Sequence, residues 1–162
     1  MKKLTTLLFI LVFASSMAFA QNNDADVDQD GDNQDATVTQ LQNQNSATVD
    51  QMTDNAGEQE ASVYQDGFSN SAMISQSQTG GGNNGLSTAE IEQLGNNNWA
   101  SQSQTMPNSN SGHEHSVRQD GNQNWSQQSS TGGYHVNFDV LQVGNNNDAK
   151  QTTENDAAYA YA

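Results

Sequence analysis

The sequence predicts an all-β fold: a β-solenoid, cross-β and amyloid-like, of about five stacked strand–turn–strand repeats forming two facing parallel sheets. Three observations predict it. Segments such as Tyr64–Gln65 and Ala72-x-Ile74-x-Gln76 alternate apolar or amide residues with small polar ones, the period of a strand. A Gly-x-x-Asn spacer, Gly67 to Asn70, separates them, and both residue types tolerate positive φ in a turn. The unit then recurs, with first glutamines Gln40, Gln65, Gln93, Gln119 and Gln142 spaced 25, 28, 26 and 23 residues apart, the period range of solenoids.

Residues 1–20 read as a secretory signal: Lys2 and Lys3, an apolar Leu7–Phe13, and Ala18-Phe19-Ala20 as the cleavage site. The run is too short to span a bilayer, and no second apolar run reaches that length. The solenoid is expected over residues 21–153. A partial copy covers about 24–40, with Gln29, Gly31, Gln34, Ala36 and Val38, and full copies follow at about 36–51, 61–76, 87–104, 113–130 and 136–153. Longer connections join them: Asp54–Glu58, Thr79–Leu86 with its glycine run, Thr105–Gly112 with the sole proline, Pro107, and Thr131–His135. Glycine runs and proline are expected only between strands, where they interrupt no ladder. Residues 154–162 form a C-terminal tail whose alternating Tyr159 and Tyr161 suit a short extra strand or a frayed end.

One sheet is expected to hold the strands ending at Gln40, Gln65, Gln93, Gln119 and Gln142. The other holds those ending at Gln29, Gln51, Gln76, Gln104, Ser130 and Thr153, giving five two-strand rungs and a leading strand. Val38, Val63, Ile91, Val117 and Val140 form one apolar core column, and Val49 and Ile74 begin another that continues as Gln102, Gln128 and Gln151. The aliphatic N-terminal half is therefore expected to pack more tightly. The stacking ladder is assigned to Gln40, Asn45, Gln51, Gln65, Asn70, Gln76, Gln93, Asn98, Gln104, Gln119, Asn124, Gln142 and Asn147, and the turns to Gly67, Gly95, Gly121 and Gly144. A primary amide carries donors and an acceptor, so identical amides one rung apart, ~4.8 Å, can satisfy one another. An isolated buried amide would cost ~1–3 kcal/mol.

Composition bounds the function. Beyond residue 20 only Arg118 and Lys150 are basic against 19 acidic residues, a formal charge of −17. No basic patch exists to displace counterions from a nucleic acid. There is no cysteine and hence no disulfide framework. Low hydrophobicity, high charge and abundant Gln, Asn, Ser and Gly would suit a disordered chain, yet disorder gives no reason to keep valine, glutamine and asparagine in phase. Disorder is expected of the free monomer and order of the assembled state.

No nucleophile, base and orienting group stand at motif spacing, so an enzyme is not expected and no cofactor is implied. Asp26-x-Asp28-x-Asp30-Gly31 opens like a calcium loop, but Thr37 stands where the bidentate glutamate belongs; an acidic first strand is the preferred reading. His113-x-His115 with Glu114 or His135 offers metal ligands without a fixed third, so a structural role is preferred. Trp99 and Trp125 share a column and are expected to stack on the outer face. Thr37 and Thr39 resemble an ice-binding pair that no other copy repeats. The carboxylates, mostly in loops and outward columns, act as solubilising gatekeepers. With no evident cap, the end rungs are chemically like the interior, so head-to-tail joining repeats an internal contact and never closes. That predicts a subunit of an extracellular cross-β fibre. The rival is a soluble monomeric secreted solenoid that binds a surface ligand.

The pattern Gln-x-Gly-x-x-Asn-x-Ala-x-Val-x-Gln resembles the curlin repeat of bacterial curli subunits, and Ser87-x-Ala89-x-Ile91-x-Gln93-x-Gly95-x-x-Asn98-x-Ala100 keeps the serine that opens it. The resemblance covers most of residues 25 to 153. It implies a secreted functional-amyloid subunit exported unfolded through a dedicated outer-membrane channel and assembled at the cell surface into biofilm matrix, with roles in adhesion and cell aggregation. It implies as partners further copies of the chain, a minor nucleating subunit and accessory proteins. The scarcity of bases favours the major over the minor, nucleating subunit. Its stacking residues fall on Gln65, Asn70, Gln76, Gln93, Asn98, Gln104, Gln119, Asn124, Gln142 and Asn147. This chain departs from the family in its longer connections, in Ser130 and Thr153 at closing-glutamine positions, and in having only Gln21 to Asn23 ahead of the repeats.

Overall fold

A computed structural model describes residues 22–54, 57–79, 85–107, 112–132, 136–153 and 159–161. The expected signal at 1–20 lies outside them. Every element among the described residues is a strand: β1 (Asp24–Asp30), β2 (Gln34–Leu41), β3 (Ser46–Thr53), β4 (Glu58–Asp66), β5 (Ser71–Thr79), β6 (Leu86–Leu94), β7 (Trp99–Pro107), β8 (Glu114–Asp120), β9 (Trp125–Thr131), β10 (Asn137–Val143), β11 (Asp148–Thr152) and β12 (Tyr159–Tyr161). Odd strands form one sheet in the order β1-β3-β5-β7-β9-β11, and even strands the other, β12-β10-β8-β6-β4-β2. All strand pairings among the described residues are parallel and in register, so Val38, Val63, Ile91, Val117 and Val140 share one column and Gln40, Gln65, Gln93, Gln119 and Gln142 another. The chain winds alternately between the sheets as a β-solenoid, and no helix among the described residues is long and apolar enough to cross a membrane.

Alternation decides what is buried. In β5 the inward Ala72, Ile74 and Gln76 are buried, whereas Met73 is 47% exposed. The continuous core comprises Ala47, Val49, Ala61, Val63, Ala72, Ile74, Ala89, Ile91, Ala100, Val117 and Val140. Each fully buried aliphatic side chain contributes ~1.5–3 kcal/mol, but an alanine-rich core is thin, so the amides must also be satisfied. Exposure does not set the aliphatic half apart as expected: Gln102 and Gln128 are as buried as Val49 and Ile74. The loosest region is N-terminal instead. β1 is exposed at every position and β2 only half-buried on its inner face, because among the described residues β1 and β2 have neighbours on one edge alone.

The strand ends and the tail differ from the sequence reading. The strands run beyond the repeat boundaries, so Thr79, Leu86 and Thr105–Pro107 belong to strands rather than connections. The reason is a further inward pair of columns: Gln59, Ser87, His113 and Val136 on the even sheet, and Thr53, Gln78 and Met106 on the odd one, all buried. Pro107 is therefore the last residue of β7, facing Thr79, not part of a connection. At a strand end its missing N–H costs no ladder bond. The tail supplies β12, which pairs with Asn137–Asp139 of β10. The even sheet thus has six strands, where five were expected, and matches the odd sheet rung for rung.

The turns also differ in detail. Positive φ falls on the glycine position, with Gln42 there in the first turn, and again on the residue before the turn asparagine: Gln44, Ser69, Asn97, Gln123 and Asn146 at 56–62°. The turn asparagines themselves do not take it. Their amides do other work.

Candidate functional site: stacked amide ladders and open rung ends

Ladders of side-chain amides run along the solenoid. In the even sheet Gln40 Nε2 donates to Gln65 Oε1 (2.9 Å), Gln65 to Gln93 (2.8 Å), Gln93 to Gln119 (2.9 Å) and Gln119 to Gln142 (2.8 Å). In the odd sheet Gln29 donates to Gln51 (2.7 Å), Gln51 to Gln76 (2.8 Å) and Gln76 to Gln104 (2.8 Å). Every bond points the same way, toward the C-terminal rung. The other amide hydrogen crosses to the opposite sheet: Gln65, Gln93, Gln119 and Gln142 donate to the carbonyls of Ser46, Ser71, Trp99 and Trp125. The glutamines therefore bond along the stack and tie the two sheets together, which is how a buried amide repays its desolvation.

The asparagines form a second kind of ladder. Asn70 Oδ1 accepts from the backbone N–H of Asn98, and its Nδ2 donates to the carbonyl of Gly95. Asn45, Asn98 and Asn124 bond the following rung in the same two ways. The glycine column is required by contact as well as by φ. A Cβ on Gly95 (φ +107°) would lie 2.1 Å from the Gly121 carbonyl oxygen, against which no side chain fits.

Reasoning from sequence missed several members. Asn23 Oδ1 accepts from Asn45 N–H at 3.0 Å, so Asn23 heads the asparagine column rather than preceding the repeats. Its 22-residue distance from Asn45 was the available signal. Gln102, Gln128 and Gln151 form a further glutamine ladder (3.0 and 3.1 Å), and Gln34 donates to Gln59 (3.1 Å). Where columns change character the ladders break. Ile74 stands before Gln102 in its column, and Gln102 Oε1 has no partner among the described residues. Ser130 ends the Gln29 ladder, and its hydroxyl lies 2.7 Å from His113 Nδ1.

The metal candidates sit otherwise than ligands would. Asp24–Asp30 is an extended strand, in which alternate side chains spread along one face instead of wrapping a cation as a calcium loop does. His113 and His115 are both buried, with rings 6.3 Å apart, in the columns of Ser87 and Ala89. His115 packs on Phe138 at 4.8 Å, and neither of its ring nitrogens has a partner among the described residues. Burial, and then the neighbouring His113, lowers its pKa from 6.5 to about 3. His135 lies outside the described residues. No group of three His, Cys, Asp or Glu side chains among the described residues could hold a metal ion. Trp99 and Trp125 stack with ring centroids 5.1 Å apart and planes 7° apart.

Among the described residues no strand or helix covers either end of the stack. β1 and β2 present one edge, β11 and β12 the other. An open parallel edge is a row of unpaired backbone groups that templates a further strand.

Residues 20–52 match the family model for the curlin associated repeat. No curated protein and no solved structure matches the chain. The matched segment contains the copy from Gln40 to Gln51. The structure stacks the later copies on it in one register, column for column. Repeat and solenoid together fit a structural subunit of the curli type. The chain carries a curlin associated repeat over residues 20–52 and stacks further copies of the same pattern on it.

Proposed function

We propose that this protein is the major structural subunit of a secreted functional-amyloid fibre of the curli kind. Residues 1–20 direct export to the periplasm, an outer-membrane channel with accessory proteins passes the chain outward, and a minor subunit nucleates growth. Copies then add head to tail at the cell surface, giving a fibre that serves biofilm matrix, adhesion and cell aggregation. One observation carries the reading: on the odd sheet the edge strands β1 and β11 lie in one continuous in-register set of columns, so a second copy can add in the register already used inside the chain. Asn147 on the last full turn continues the column that Asn23 begins. Joining a second copy therefore repeats an internal contact, and a contact that does not close propagates.

A second reading has one observation in its favour. Asp24, Asp26, Asp28 and Asp30 line β1, and charge on an edge strand opposes further pairing. That favours a monomeric secreted solenoid that binds a surface ligand. Fibre diffraction on the purified protein after quiescent incubation separates the two. Filaments with reflections at ~4.7–4.8 Å and ~10 Å are expected. A clear solution of folded monomer would overturn the fibre reading.

A further inference from the structure

We infer that Lys150 is the charge that seats one copy on the next, by pairing with Asp26 of the copy stacked on its β11 edge. The inference rests on the head-to-tail reading and specifies its joint.

The register defines the column. Asp26, Thr48, Met73, Ser101, Gln127 and Lys150 lie one above another across the odd sheet. The four interior members are uncharged, and the two ends carry opposite charges. Lys150 is the only base on that sheet, because the other base beyond residue 20 is Arg118 in β8. Continuing the stack by one rung places Lys150 of one copy directly beside Asp26 of the next. The neighbouring Asp24 and Asp28 stand diagonally at ~7–8 Å.

The molecule already contains one acid–base pair between outward side chains one rung apart, in the opposite order along the stack. Arg118 lies one rung after Glu92 in an outward column of the even sheet, and its Nη1 is 3.1 Å from Glu92 Oε2. An outward base and an outward acid one rung apart can therefore close the gap between rungs in this fold. At the joint the pairing is needed more. Asp148 falls in the column of Asp24, so two carboxylates meet there, and β1 brings three more. Without Lys150 the odd-sheet joint has acids and no base. A two-residue slip, which keeps the inward faces inward, would set Lys150 opposite Asp24 or Asp28 instead, so the register itself is held by the Asn147–Asn23 continuation, which such a slip breaks.

Within one chain the two residues stand five rungs apart, ~24 Å at the usual strand spacing, and cannot meet. Any coupling between them reports contact between copies. The test is seeded elongation at low ionic strength with wild-type protein, Lys150→Glu, Asp26→Lys, and the double swap, each seeded with its own fibres. Lys150→Glu is expected to slow elongation about three- to tenfold, the scale of an exposed pair turned repulsive, and Lys150→Gln by less. The double swap is expected to return to within about twofold of wild type. A swap no faster than Lys150→Glu alone, while wild type elongates normally, overturns the pairing and leaves the fibre reading standing. Wild-type protein that forms no fibre under any seeding overturns both.

Discussion

Truncating the middle of a glutamine ladder should cost far more than truncating its end, and the difference can be worked from the bonds. Gln93 accepts from Gln65, donates to Gln119 and to the Ser71 carbonyl, and is 0% exposed. In Gln93→Ala, Gln119 Oε1 loses its donor. One hydrogen of Gln65 loses its acceptor, while the other still reaches the Ser46 carbonyl. Each orphaned buried group costs ~1–3 kcal/mol, so the loss is about 2–6 kcal/mol before any cavity is counted. That is a large share of a typical ~5–15 kcal/mol total. Gln142→Ala, at the end of the same ladder, strands only one amide hydrogen of Gln119, for ~1–3 kcal/mol. Gln127→Ala, on the outward face of β9, should stay within about 0.5 kcal/mol. Guanidinium unfolding followed by circular dichroism should order the midpoints as wild type and Gln127→Ala together, then Gln142→Ala, then Gln93→Ala. Coincident midpoints for Gln93→Ala and Gln127→Ala would refute the ladder as a source of stability.

Three further outcomes are expected. His115 is held neutral, with its pKa lowered from 6.5 to about 3, so its contribution is intact above about pH 6.5 and is lost progressively as pH falls toward 3. By pH 5 the loss is ~2 kcal/mol; His115→Ala should flatten the stability slope between pH 6.5 and 5, and an unchanged slope would contradict the assignment. Gly95→Ala, which meets the Gly121 carbonyl, should lower the melting temperature more than Gly144→Ala, whose added Cβ has nothing nearer than 3.7 Å; the second carries only the strain of its φ, ~1 kcal/mol. With a formal charge of −17 beyond residue 20, moderate salt or a pH near 4 should speed fibre growth by screening or neutralising rung-to-rung repulsion, and slower growth in salt would argue against that repulsion as the brake.

The linear pattern alone was enough for the two-sheet stack. Period-2 alternation assigns Val63 and Gln65 inward and Met73 outward without knowledge of any neighbour, and a glutamine column in phase with a valine column needs parallel in-register strands. What alternation cannot give is where a strand stops, because nothing in one sequence says whether Gln59, Ser87, His113 and Val136 share a column. Only the register shows that they do, and that Gln78 and Met106 lie buried on the facing sheet. The turn was legible as Gly-x-x-Asn, but the division of labour was not: positive φ went to Ser69 and Asn97 while Asn70 and Asn98 turned their amides to the next rung. Such choices depend on the carbonyl that the adjacent rung presents. The same holds for Asn23 and for β12, whose places exist only because β3 and β10 offer an edge. Ladder polarity was likewise beyond the sequence, since an amide carries both a donor and an acceptor and only a neighbour on each side decides which way it donates.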